Sequence, residues 1–237
     1  MPRISDLDES RRQFLLYLLA TGSLATLPAH SATLSRLPSR LPPGQSIYRL
    51  KGDVRVNGAT ATLTSPINAR DIVETGRKSF VIFVVEKDAF ILRSNSKMTL
   101  PISKVSAGII PTAFTLSRGK ALSVFASRRT RISTPTAIIG IRGTGVYIEA
   151  DPEESYVCVC YGSTELQSAA DPGINETVVT KHHDAPKYIT GGNNPRILSA
   201  PFKNHDDQEL LLIETLVGRT TPYVVPKGVP RTRSSYF

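Results

Sequence analysis

From Ile47 to Gln167 the chain runs in short apolar or alternating stretches, broken by turn signals every ~8–12 residues. This rhythm constrains the fold more than any other feature. A parallel crossover needs a dozen or more residues between strands, usually a helix, and these connections are too short for one. No segment in the span has the 3.6-residue periodicity of an amphipathic helix. The expectation is an all-β fold, an antiparallel β-sandwich or β-roll of short strands. Hydrophobic residues make up 40% of the chain, enough to fill such a core.

The individual stretches are legible. Tyr48 to Val56 alternates, Asn57-Gly58 is a hairpin turn signal, and Thr60 to Thr64 returns. Asp71-Ile72-Val73-Glu74-Thr75-Gly76 leads into another turn. Ser79 to Val85 is strongly apolar, Glu86-Lys87-Asp88 turns it, and Ala89 to Arg93 returns. Further strands are expected at Met98–Ile102, Ala113–Ser117, Ala121–Ala126, Thr136–Ile141, Gly145–Ala150 and Tyr156–Tyr161. Residues 168–237 differ and read as a C-terminal extension. Strands are expected at Glu176–Thr180 and Tyr188–Thr190, a loop at Gly191–Pro195, and one helix over about 204–217 with Asn204 as its N-cap. Leu210, Ile213 and Val217, joined by Leu211 and Leu212, give that helix a broad apolar face. A basic, Pro-rich tail follows from Arg219.

The first residues read as an address label. Ser10-Arg11-Arg12-Gln13-Phe14-Leu15 precedes a moderately apolar stretch too short to span a bilayer, and small residues near Ser31 and Ala32 offer a cleavage site. With Arg11, Arg12 and Phe14 in these places, residues 1–31 resemble a twin-arginine export signal, and 32–46 form a linker. No run of about 18 apolar residues occurs, so no ordinary transmembrane span is expected in the mature protein. The expected destination is the periplasm or cell envelope.

From about Tyr48 to Leu166 the sequence resembles the FecR-type domain family. The resemblance rests on Gly52-Asp53-Val54-Arg55-Val56-Asn57-Gly58, on Asp71 to Gly76, and above all on Thr134-Pro135-Thr136-Ala137-Ile138-Ile139-Gly140-Ile141-Arg142-Gly143-Thr144. It implies a non-catalytic β domain of the envelope over 47–167, with Pro135, Gly140, Arg142, Gly143 and Thr144 as structural signature residues. The glycines suit close approaches between strands, and Arg142 suits a corner held by hydrogen bonds to carbonyls. The plan of the best-known family members, a cytoplasmic sigma-factor-binding segment joined to a membrane span, does not fit ten residues before the arginine pair.

One place hints at chemistry. Cys158 and Cys160 stand two apart in a strand, so both sulfurs share a face while Val157 and Val159 take the other. Two thiolates so placed suit a shared metal better than a disulfide. His182 and His183 follow about twenty residues on, where an antiparallel return brings one beside the cysteines; both reach only if the chain bends. Such a set suits zinc, or copper. Asp184 is the candidate partner for an imidazole, and His205 reads as a surface residue at the helix start. The competing reading makes the cysteines small buried hydrophobes and the histidines an exposed loop. No hydrolase elbow, zinc-protease helix, P-loop or dinucleotide fingerprint occurs, so no enzyme is expected.

The net charge of +9 first points to nucleic acid. The export signal redirects it to the envelope. Arg36 to Arg142 holds eighteen Lys and Arg against five Asp and Glu, whereas the rest of the chain is acidic overall. Lys104, Arg118, Lys120, Arg128, Arg129 and Arg131 form a candidate basic face for an anionic envelope component or another envelope protein, with no nucleic acid partner. The expected function is an exported binding or scaffold module with a possible metal. The alternatives are a metal-dependent envelope protein with a redox or storage role, and a sensory accessory of a cell-surface signalling system.

Overall fold

The computed structural model describes residues 39–101 and 113–225. The export signal with Arg11, Arg12 and Phe14, most of the linker, Lys104 and the end of the tail lie outside the described residues. The fold is all-β, with one helix near the C-terminus.

The chain first lays down β1 (Ile47–Lys51) and β2 (Val54–Val56). These are two strands rather than one, because Gly52 turns between them at φ +78° and sits so close to Ser79 that an added Cβ would lie 2.3 Å from its hydroxyl. Asn57 and Gly58 both have positive φ, as their hairpin demands, and the return strand β3 is only Ala59–Thr60. Then come β4 (Ile72–Thr75), β5 (Phe80–Val85), β6 (Asp88–Leu92) and β7 (Lys97–Thr99). The sites expected as two strands at 113–117 and 121–126 form one, β8 (Ala113–Val124). β9 (Arg129–Ser133) was not foreseen: four of its five residues are charged or hydroxylic, and only Thr130 and Ile132 face inward.

The spine is the hairpin of β10 (Ala137–Ala150) and β11 (Glu154–Ser168), and both strands change partners halfway. β10 pairs with β9 through Ile138–Arg142 and with β8 through Gly145–Ala150. A bulge between Arg142 and Gly145 makes the switch. Gly143 has φ +59°, a Cβ on Gly145 would lie 2.5 Å from the Tyr161 ring, and Thr144 Oγ1 sits 3.1 Å from the carbonyl of Arg142 and 3.2 Å from that of Ser163. Arg142 itself is exposed, so the backbone and Thr144 hold this corner rather than the guanidinium. Pro135 is exposed in the preceding turn, whose Thr134 and Thr136 hydroxyls both lie 2.7 Å from the buried Ser155 hydroxyl.

β11 pairs with β12 (Asn175–Thr180) through Gly162–Gln167, and with β13 (Lys187–Thr190) through Glu154–Val157; β14 (Ile197–Ser199) adds to β13. The strands after Gln167 therefore continue the same sheet. All pairings are antiparallel except β8 with β9, which run parallel over three residues.

The sheet buries both faces. One encloses Phe83, Phe90, Phe114, Phe125, Ile148, Val157 and Val159. The other carries Ile82, Ile91, Leu122, Tyr147, Tyr156, Cys158 and Cys160 under α1 (Asp207–Leu216), which contributes Leu210, Ile213 and Leu216. Asp206, not Asn204, caps this helix: its carboxylate accepts from Glu209 N at 2.9 Å while Glu209 accepts from Asp206 N at 3.1 Å. Asn204 instead sits at φ +62° and donates its amide to Glu149. No helix among the described residues is long and apolar enough to cross a membrane.

Candidate metal centre

The partner switch on β11 creates the site. Pairing with β13 stops at Val157 and pairing with β12 begins at Gly162, so no strand among the described residues covers the outer edge at Cys158–Tyr161. The chain leaving β12 covers it instead. Thr180 Oγ1 donates to the carbonyl of Val159, and His183 N donates to that of Cys160 at 3.0 Å. His183 takes φ +54°, and this bend swings its ring inward over the cysteines.

A fourth donor arrives from the approach to α1. His205 is 4% exposed, not the surface residue expected, and stacks on the Tyr147 ring at 4.5 Å. One donor atom from each of Cys158, Cys160, His183 and His205 lies within 4.8 Å of the others. Cys158 Sγ is 3.6 Å from His183 Nδ1, Cys160 Sγ is 3.4 Å from His205 Nε2, and the two nitrogens are 3.1 Å apart. A zinc tetrahedron with bonds of ~2.1 Å to nitrogen and ~2.3 Å to sulfur has edges of about 3.4–3.8 Å. The donor set is thus already close to the required spacing.

The imidazoles are held in the tautomers a metal needs. His205 Nδ1 lies 2.8 Å from the carbonyl of Lys203, which only accepts, so Nδ1 carries the proton and Nε2 offers its lone pair inward. His183 Nε2 lies 3.0 Å from Asp207 Oδ1, so Nε2 donates and Nδ1 faces the sulfurs. Asp184 does not take this part. Its carboxylate accepts from the backbone N–H groups of Lys181 and His182 and closes their turn. His182 is half exposed, points away from the sulfurs, and shares Asp207 at 2.9 Å. Of the two adjacent histidines, one joins the cysteines.

The electrostatics are those of a thiolate site. The Cys160 thiol, together with His183 and His205, stabilises the Cys158 anion and brings its pKa down to about 4, against the cost of burial. Burial and the neighbouring thiolate push Cys160 well above the usual thiol range. Burial opposes protonation of His183, but Cys158 and Asp207 outweigh it and raise its pKa. Asp207 is likewise held below its ordinary value against burial, by His182, His183 and Tyr223. The sequence carried a signal for His205 and Asp207 only as residues beside a helix start; nothing local marked them as facing the cysteines.

Of the five candidate basic-face residues that are described, three make ion pairs within the chain. Arg118 lies 3.4 Å from Glu74, Lys120 3.8 Å from Glu149, and Arg128 2.5 Å from the buried Asp88. Arg129 is exposed and pairs in register with Arg142 across β9 and β10, and Arg131 is half-buried.

No family model matches the sequence, and no curated protein matches it either. Among solved structures, two crystal structures described as a "putative anti-sigma factor" from Parabacteroides distasonis ATCC 8503 are similar at 14% and 15% identity, with TM-scores of 0.45 and 0.46. Each alignment covers 59% of this chain and 62% of the other.

Proposed function

We propose that this protein is a non-catalytic, metal-binding β module of the cell envelope, in which one buried zinc ion fastens the C-terminal segment to the sheet. The observation that carries this reading is the convergence of Cys158, Cys160, His183 and His205 from three separate segments. The hydrogen bonds behind the imidazoles support it, since Asp207 orients His183 and the carbonyl of Lys203 orients His205. Four protein donors, three of them buried and His183 partly so, leave no open position for substrate, the pattern of structural rather than catalytic zinc sites. The twin-arginine pattern at Arg11, Arg12 and Phe14 supports export, and a metal enclosed this deeply fits a protein that folds before it crosses the membrane. Two soft thiolates also suit monovalent copper, the second choice of metal.

Elemental analysis of protein purified without added chelator tests the proposal. The expected result is one equivalent of metal, lost when Cys158→Ser and Cys160→Ser are combined. Metal-free protein that takes up neither zinc nor copper on reconstitution would reject it.

A further inference from the structure

Next to the cluster, a pocket of about 600 Å3 opens between the sheet and the segment after α1. None of its lining residues is one of the four metal donors. Its size falls within the range of ~300–1,000 Å3 typical of small-molecule sites.

The pocket is two-sided in chemistry. Phe125, Tyr161 and Tyr223 supply aromatic surface, with the two tyrosine rings 6.1 Å apart edge to face. Gly143 and Gly162 present bare backbone. Gly162 has φ +96°, and a Cβ there would lie 2.8 Å from Thr144 Oγ1, so the bulge that bends β10 also keeps this part of the lining free of side chains.

The polar side is cationic. Arg219 Nε donates to Glu214 at 2.6 Å and Nη1 donates to the carbonyl of Lys87 at 2.6 Å, but the buried Nη2 has no hydrogen-bond partner among the described residues. Arg219 as a whole lines the cavity, and a rotation of its guanidinium lets this donor meet an acceptor that enters there. Glu214, the acid in the lining, is already engaged by Arg219 and by the Tyr161 hydroxyl. The Lys181 ammonium at the rim makes no ion pair among the described residues. Two cations therefore face one committed carboxylate.

We propose that this pocket binds a small apolar acid, an aromatic or aliphatic monoanion. Its anionic group is received by Arg219 and Lys181, and its apolar body lies against Phe125, Tyr161 and Tyr223. The assignment does not rest on the metal, because its residues and its readout are separate.

The test pairs two fluorescent probes of similar shape titrated into the full chain: anilinonaphthalene sulfonate, which is anionic, and N-phenylnaphthylamine, which is neutral. The anionic probe is expected to bind folded protein saturably at one site and to be displaced by octanoate or benzoate but not by benzylamine. Arg219→Gln should weaken the anionic probe by about tenfold, the value of one charge-assisted hydrogen bond, and leave the neutral probe within about twofold. Lys181→Gln, at an exposed position, should act in the same direction without risk to folding. Ser127→Trp, which places a ring at the exposed rim, should block both probes. No saturable binding to protein whose circular dichroism shows it folded overturns the proposal. So does equal loss of both probes in Arg219→Gln and Lys181→Gln, or unchanged binding in Ser127→Trp. Binding that persists in the Cys158→Ser/Cys160→Ser variant separates this site from the metal reading.

Discussion

The two faces of the sheet are built by different physics. The inner face closes on itself with Phe83, Phe90, Phe114 and Phe125 in mutual contact, their centroids 5.0–5.7 Å apart. The outer face has aromatic and aliphatic side chains too, but its cover is a ten-residue helix and the segments beside it. That cover is fixed by polar anchors: Arg93 to both oxygens of Glu209 at 2.8 and 3.0 Å, Glu149 to Lys203 and Asn204, Tyr161 to Glu214, and the Cys–His cluster. Apolar contact is non-directional and tells a strand only which way to face. Directional groups decide where a short helix sits, and a buried ion pair makes any other position costly.

The comparison breaks first if the inner face is not the stability core. Phe90→Ala should lower unfolding free energy by about 4 kcal/mol in denaturant melts, through lost burial and a cavity the neighbouring rings cannot fill. A loss under 1 kcal/mol would mean that the roll does not depend on this cluster. Next, Arg93→Met takes the balancing charge away from the Glu209 carboxylate in a site where both side chains are 5% exposed or less. A cost of about 3 kcal/mol is expected. Hydrogen exchange should show it mainly in α1 amides, with inner strands such as β5 and β6 still protected; uniform loss of protection would merge the two regions into one cooperative unit.

Metal sharpens the contrast. With free zinc at 100 times its dissociation constant, stabilisation of about 2.7 kcal/mol is expected, and a chelator should remove it. Since Cys160 is held protonated and His183 is raised in the metal-free site, loading at pH 7 should release protons, read as a dependence of binding heat on the ionisation enthalpy of the buffer. The smallest effect concerns acid. Burial works against ionised Glu149, but Asn204, Tyr147 and Lys203 outweigh it and hold its pKa below the ordinary value. Its stabilisation is therefore present above the unfolded pKa and lost as pH falls through the folded one. Glu149→Gln should cost about 1 kcal/mol at pH 7 and flatten the fall in melting temperature below pH 4.5, the ordinary value for the group. An unchanged acid profile would remove Glu149 from the anchors.

Much of the fold can be read residue by residue. The Asn57-Gly58 turn, the β5–β6 hairpin and the helix near 204–217 follow from local chemistry, since a positive-φ turn pair, an apolar run and an apolar helix face are short-range signals. Three features were not legible. β9 has too few apolar residues to announce itself. The strands around Gly119 and around Arg142 to Gly145 looked like pairs because glycine is also a turn residue; here Gly119 at φ +91° and Gly143 at φ +59° bend continuous strands. The helix cap moved from Asn204 to Asp206, because the reciprocal bond with Glu209 satisfies two backbone donors while Asn204 was needed by Glu149.

The candidate site divides along the same line. The pairing of Cys158 and Cys160 on one face is a property of the extended chain, whose side chains repeat every two residues, and the sequence by itself determines it. So does the presence of imidazoles within reach of a returning strand. Only the tertiary structure decided which ones. His183 is turned inward by its left-handed backbone and His182 outward, and His205 is brought 45 residues along the chain to within 3.4 Å of Cys160 by the docking of α1. That choice rests on Arg93 meeting Glu209 and on the gap between β12 and β13. Both are encounters between distant segments, and no local pattern of residues encodes them.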